Sequence, residues 1–523
     1  MIVGSFSEII EGEVSLYRWI GENSIDGVLS SDKQNKLPDI ESKSLSMPEL
    51  DDIDILAGMV DSIMGSGAED ADSLAGKLFL IMKSFLDDDG VSVDVKIGKV
   101  YGFLIEHNTM SYIDNFIDLV GNEQSNEKFL FTCHEVASIF ASESAHREAV
   151  KFGIAILGLF KLISEDIEIL LVLGLADEFS KFVSIAFLRC GLNDNIFMLA
   201  KATQGWGRVN YIKALEADSD EIRKWLIYEG YRCDIGTSHV AYDCASKGDL
   251  LGEIKDNGWS EELFDITAEL INGLISFESM HNIEFYNDFK NVVELFLEES
   301  CHIDMNLDRF YYLINLFYYL SDYYVDAGWS EQDKDILVDK ISKSAYSRGI
   351  DWKSIIYKDV TDYRARAVAK AINIDIWDKL YELALSDDKF DSWYGLTEGA
   401  DIDRYRKICI LAEKKLPLMD IATGAKDELG LGREFDAHMN LTMIIQRLDE
   451  FDEIMGLELI KTALNSPVTN NRNMALRVIG SWAEIPDDVV EILRNNRDIE
   501  PNSDTADRYD IVLSRLDNNT LSL

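Results

Sequence analysis

Proline is almost missing from this chain. Six prolines occur in 523 residues, and none lies between Pro48 and Pro417. Inside a helix, proline removes a backbone donor and clashes with the preceding turn, at a cost of about 3 kcal/mol. A central strand excludes it as well, so the gap alone does not choose between helix and strand. The apolar period chooses: hydrophobic residues recur every three or four positions nearly throughout, which is the spacing of amphipathic helices. The expected fold is all-α, an irregular solenoid of stacked antiparallel pairs, with roughly 25 to 30 helices.

Along the chain, residues 1–24 read as a first helix and 25–48 as a loop or linker rich in Ser, Asp and Lys. Residues 49–121 read as a small helical cap, 122–500 as the repeat array and 501–523 as a polar tail with one short helix near Ile511–Leu516. The most apolar stretches, Phe129–Phe140, Arg147–Leu162 and Asp166–Leu175, are expected at the centre, because a helix apolar on most sides must be covered by others.

Two echoes support repetition. Gly258-Trp259-Ser260-Glu261 precedes Asp265-Ile266, and seventy residues later Gly328-Trp329-Ser330-Glu331 precedes Asp335-Ile336. Gly would close one helix and Ser cap the next, with Trp259 packing on Phe264 as a staple that Lys334 breaks in the second copy. The other echo is an arginine leading a small-residue helix, at Arg147, Arg208, Arg366 and Arg472. Three of these run on into a second short helix, at Asp220–Tyr228, Ile376–Leu385 and Pro486–Leu493, a pattern that resembles HEAT and armadillo-type units and implies a HEAT- or armadillo-like α-solenoid.

Within 205–251, the runs Gly205-Trp206-Gly207-Arg208, Ile212-Lys213-Ala214-Leu215-Glu216, Glu221-Ile222-Arg223-Lys224-Trp225-Leu226 and Lys247-Gly248-Asp249-Leu250-Leu251 resemble a block in uncharacterised bacterial proteins similar to HEAT-repeat proteins. Some of those carry the label "limonene hydroxylase". The resemblance implies a helical-repeat fold. The label would imply a redox cofactor, for which this chain has no dinucleotide fingerprint, haem-ligating cysteine context or flavin motif, so no cofactor is expected.

Acidic residues outnumber basic ones 95 to 50, a formal charge of −45. Such a surface repels phosphate backbones and anionic lipid and attracts cationic partners. Direct nucleic-acid or membrane binding is therefore not expected. Six scattered cysteines without a CxxC pair suggest reduced thiols. The first residues lack the basic and apolar regions of a signal peptide. A cytoplasmic protein is expected.

No motif carries chemistry. His134-Glu135 and His146 do not form HExxH, and Cys301-His302 with Asp304 is too small a set for a metal. Asp87-Asp88-Asp89-Gly90 looks like a calcium loop, but Phe85 stands where its first aspartate belongs. GxSxG is absent, and Gly430-Leu431-Gly432-Arg433 is only part of a phosphate loop. The expected function is therefore non-catalytic: a curved scaffold that binds a protein or peptide, possibly a basic one. An acidic immunity or inhibitor protein against a basic toxin or nuclease is the alternative, and an enzyme of unknown class a more remote one. The aromatic-rich region 305–395 is the candidate contact surface. Tyr311, Tyr312, Tyr318, Tyr319, Tyr323, Tyr324, Trp352, Trp377 and Trp393 are the partner-binding candidates, because exposed rings bring large area at small entropy cost.

Overall fold

The structure, a computed structural model, describes residues 14–39, 57–63, 70–277, 285–322, 330–346, 349–387 and 389–520. Among these every regular element is helical and no strand occurs. Two isolated bridges, Ile25 with Val28 and Glu428 with Val468, are the only β pairings among them. No described helix is long and apolar enough to cross a membrane. The chain forms two compact units: Met1–Met47, Ile55–Met305 and Tyr312–Ser347 in the first, and Pro48–Asp54, Asn306–Tyr311 and Arg348–Leu523 in the second.

Local signals place many helix ends. Gly258 adopts φ +70°, a conformation that costs glycine nothing, and closes the helix Leu250–Asn257 by donating its N–H to the Ile254 carbonyl. Two residues on, the Ser260 hydroxyl accepts the Leu263 N–H at 3.0 Å and starts the helix Glu261–Ile275. Trp259 meets Phe264 edge-on at 6.0 Å, the expected staple. Gly328 and Trp329 of the second copy lie outside the described residues. The final helix, Ser503–Thr520, is longer than the tail pattern suggests.

In the first unit, the helices Glu127–Glu143 and Arg147–Leu157 pack closely. A Cβ on Gly153 would stand 2.7 Å from the Ala137 carbonyl, so glycine sets that approach. Ten of the eleven residues of Arg147–Leu157 are buried, as its composition requires. Within 25–48, the described residues 25–39 lie against this core: Gln34 donates to the Leu175 carbonyl and accepts the Asp177 N–H at 2.8 Å.

The arginine echo has a shared geometry. Arg208 donates to the Thr203 carbonyl, Arg366 to that of Thr361, and Arg472 to that of Pro467. In each case the acceptor lies five residues back, in the loop before the helix. Such carbonyls have no helical partner, and a guanidinium with five donors can satisfy several of them. Arg208 also reaches the carbonyl of Arg232, and Arg472 that of Ser466. Arg147 differs: it makes a two-pronged ion pair with Asp39.

Candidate functional site

The sequence candidates separate by burial. Trp352, Trp377 and Trp393 are buried, Trp352 and Trp393 within the packing of the core and Trp377 at the edge of a groove. Trp352 packs on Phe310 at 4.6 Å, the Trp377 indole donates to the Leu396 carbonyl at 3.0 Å, and Trp393 meets Phe390 edge-on at 5.7 Å. An indole buries the most apolar area of any side chain, and packing claims it first. Tyr311, Tyr312 and Tyr319 are half-buried on the helix Leu307–Asp322, and Tyr318 is 41% exposed. Tyr311 also meets Tyr363 edge-on at 5.5 Å. Tyr323 and Tyr324 lie outside the described residues.

One concave site does fall in the candidate region. A groove of about 350 Å³ in the second unit is lined by Arg366 and Lys370 from the helix Tyr363–Ala371, by Asp375 and Trp377, by Glu398, and by Arg404 from the helix Ile402–Lys415. The Trp377 ring stacks on Tyr381 at 4.8 Å and carries the Arg404 guanidinium 5.0 Å from its centroid. Arg404 also pairs with Asp375, and its hydrogen bond holds that carboxyl below the usual carboxylate range. Lys370 pairs with Glu398 at 2.6 Å. Arg366 has no described carboxylate within 4.0 Å. Gly395 makes room for it, since a Cβ there would stand 2.8 Å from the Arg366 Cδ.

Several thiols are buried. Burial pushes the Cys133 and Cys409 thiols up to about 12 and that of Cys233 up to about 11, away from reactive thiolates. The Ser466 hydroxyl faces His438 Nδ1 at 3.0 Å, but it is fully buried and also accepts from the Val468 N–H and the Asn471 amide. Burial lowers the His438 pKa. His134 pairs with Asp166 at 3.1 Å, and His146 caps the helix Arg147–Leu157 through the Glu148 N–H. The calcium-like loop is filled from within. Lys96 donates to the Ser84 and Asp87 carbonyls at 2.7 and 3.1 Å and pairs with Asp89 at 2.9 Å. No group of three or more His, Cys, Asp or Glu among the described residues is arranged to hold a metal.

The Gly205-Trp206-Gly207-Arg208 run is explained by packing. The Asp177 carboxylate accepts the Gly207 N–H at 3.0 Å and caps the helix Trp206–Ala214 from outside. A Cβ on Gly207 would stand 2.6 Å from that carboxylate, and one on Gly205 closer still. No family model, curated protein or solved structure matches this chain.

Proposed function

We propose that this chain is a non-catalytic binding protein in which stacked helix pairs, in an irregular HEAT- or armadillo-like array, hold a protein or peptide segment. The observation that carries the reading is the groove around Arg366. It offers the Arg366 guanidinium beside the Trp377 ring. A guanidinium has five donors, and a single carbonyl engages Arg366, so an acidic side chain or a terminal carboxylate of the partner suits the remainder. The shared bond of Arg208, Arg366 and Arg472 to the carbonyl five residues back supports the repeat reading. Free thiols at all six cysteines suit a reducing cytoplasm.

The test is affinity capture from the native host at low salt, with the wild type and Arg366→Ala/Lys370→Glu compared by quantitative mass spectrometry. A partner held by the wild type and lost by the variant is the expected result. Capture that is indifferent to both substitutions, or turnover in an unbiased metabolite screen, would overturn the reading.

A second reading has its own observation. Residues 1–347 hold 62 acidic and 27 basic side chains, against 33 and 23 in 348–523. An inhibitor of a basic toxin would use the more acidic part. Its association would weaken steeply with salt, because at about 0.15 M the field decays within roughly 8 Å. An affinity unchanged between low and high salt would exclude it.

A further inference from the structure

Among the described residues, buried carboxylates face a basic nitrogen within 4.0 Å in every case but one. Asp61, Glu148 and Glu178 face Lys151 at 2.6, 3.5 and 2.7 Å, and Glu178 also faces Arg147 at 3.3 Å. Asp166 faces His134 at 3.1 Å and Asp243 faces Lys247 at 3.0 Å. Asp177 is the exception among the described residues. It is 6% exposed, yet no described Lys, Arg or His nitrogen lies within 4.0 Å of its carboxylate. Removing a carboxylate from water without a cation is costly, and two backbone N–H groups at a helix start offset only part of that cost.

What distinguishes Asp177 is its setting. It lies in the wall of a cavity of about 370 Å³, within the range of small-molecule sites. The wall holds a second carboxylate, Asp234, and the amides of Asn35 and Gln204, and no described basic side chain lines it. Trp206, 4% exposed, is another wall residue. A cavity with two carboxylates and amide groups in its wall calls for a ligand bearing a positive charge and oxygen acceptors.

We propose that this cavity binds a small hydroxylated amine, of the size of an amino sugar, whose ammonium group is held by Asp177 and Asp234 and whose oxygens meet the amides of Asn35 and Gln204. Burial pushes the Asp177 carboxyl up to about 6, so at neutral pH it is ionised at a cost that a bound ammonium group would relieve. The site lies in the first unit and is independent of the Arg366 groove.

The experiment is calorimetric titration of the full chain at neutral pH with glucosamine. Glucose serves as a probe of the same shape without the positive charge, and N-acetylglucosamine as an uncharged, bulkier one. Binding of glucosamine is expected, with both controls weaker by about tenfold or more, the scale of one lost charged contact. Asp234→Asn changes an exposed side chain and should keep the fold while weakening glucosamine about tenfold. Asp177→Asn should weaken it further. Absence of glucosamine binding at millimolar concentration, equal binding of glucose, or affinity unchanged in Asp234→Asn would each overturn the proposal. If Asp177→Asn fails to fold, the charge series and Asp234→Asn still decide.

Discussion

Two regions of the first unit meet at a single peptide bond. Glu178 belongs to the ion cluster around Lys151, and Asp177, its neighbour in sequence, belongs to the cavity wall. Both are buried, yet they titrate in opposite directions. Burial would raise Glu178, but Lys151 and Arg147 outweigh it and hold the carboxyl down at about 2. Burial raises Asp177 to about 6, because backbone N–H groups are its only strong partners. Depth alone therefore does not set the ionisation of an interior carboxylate; the facing charge does. The second unit repeats the paired case in smaller form. Arg472, fully buried, meets Glu500 at 2.6 Å and two loop carbonyls.

The largest effect should come from breaking the paired region. Lys151→Met leaves Asp61, Glu148 and Glu178 with Arg147 alone, and should destabilise the first unit by about 3–5 kcal/mol in urea unfolding followed by circular dichroism. A loss under about 1 kcal/mol would mean that the cluster does not hold the unit together.

Double substitutions sharpen the contrast between the clusters. Arg472→Met/Glu500→Gln removes both ends of a one-to-one pair and should recover about half or more of the loss seen with Arg472→Met alone. Lys151→Met/Glu178→Gln should recover less, since Asp61 and Glu148 remain. Equal recovery in the two cycles would remove the distinction.

At the capping contact, Gly207→Ala would press a Cβ against the Asp177 carboxylate, with an expected cost of about 1–3 kcal/mol in the same assay. The smallest effect is expected farther away. Ser260→Ala removes the cap of Glu261–Ile275 and should cost about 1 kcal/mol, without altering the pH dependence contributed by Asp177.

What could be read from the sequence follows the range of the interaction. The Gly258-Trp259-Ser260 punctuation involves contacts within a few residues, so residue type and spacing reveal it. The leading arginines are visible as a pattern, and three reach only five residues back. Their acceptors are backbone carbonyls, however, which have no residue-specific signature. Trp352, Trp377 and Trp393 look like anchors because composition reports an aromatic cluster and not which side of a helix is covered. Lys151, within Ala-Val-Lys-Phe-Gly, carries no local signal of the carboxylates it meets. Its burial depends on Asp61 and Glu178, distant in the chain. Asp177 is the least legible. Its neighbours come from residues 28–35, 202–206 and 234–235, and its missing counter-ion is a property of space alone.

The direct test of this contrast is the stability difference between the wild type and Asp177→Asn, measured by urea unfolding across pH. The native carboxyl at about 6 lies above its ordinary 3.8, so the native state holds more protons between those values. Its contribution is then fully present below 3.8 and is lost as pH rises through about 6. The wild type should therefore gain stability relative to Asp177→Asn as pH falls through that window, with a slope approaching about 1.4 kcal/mol per pH unit. A flat difference, or one that declines on acidification as a cation-paired carboxylate would give, would contradict the account.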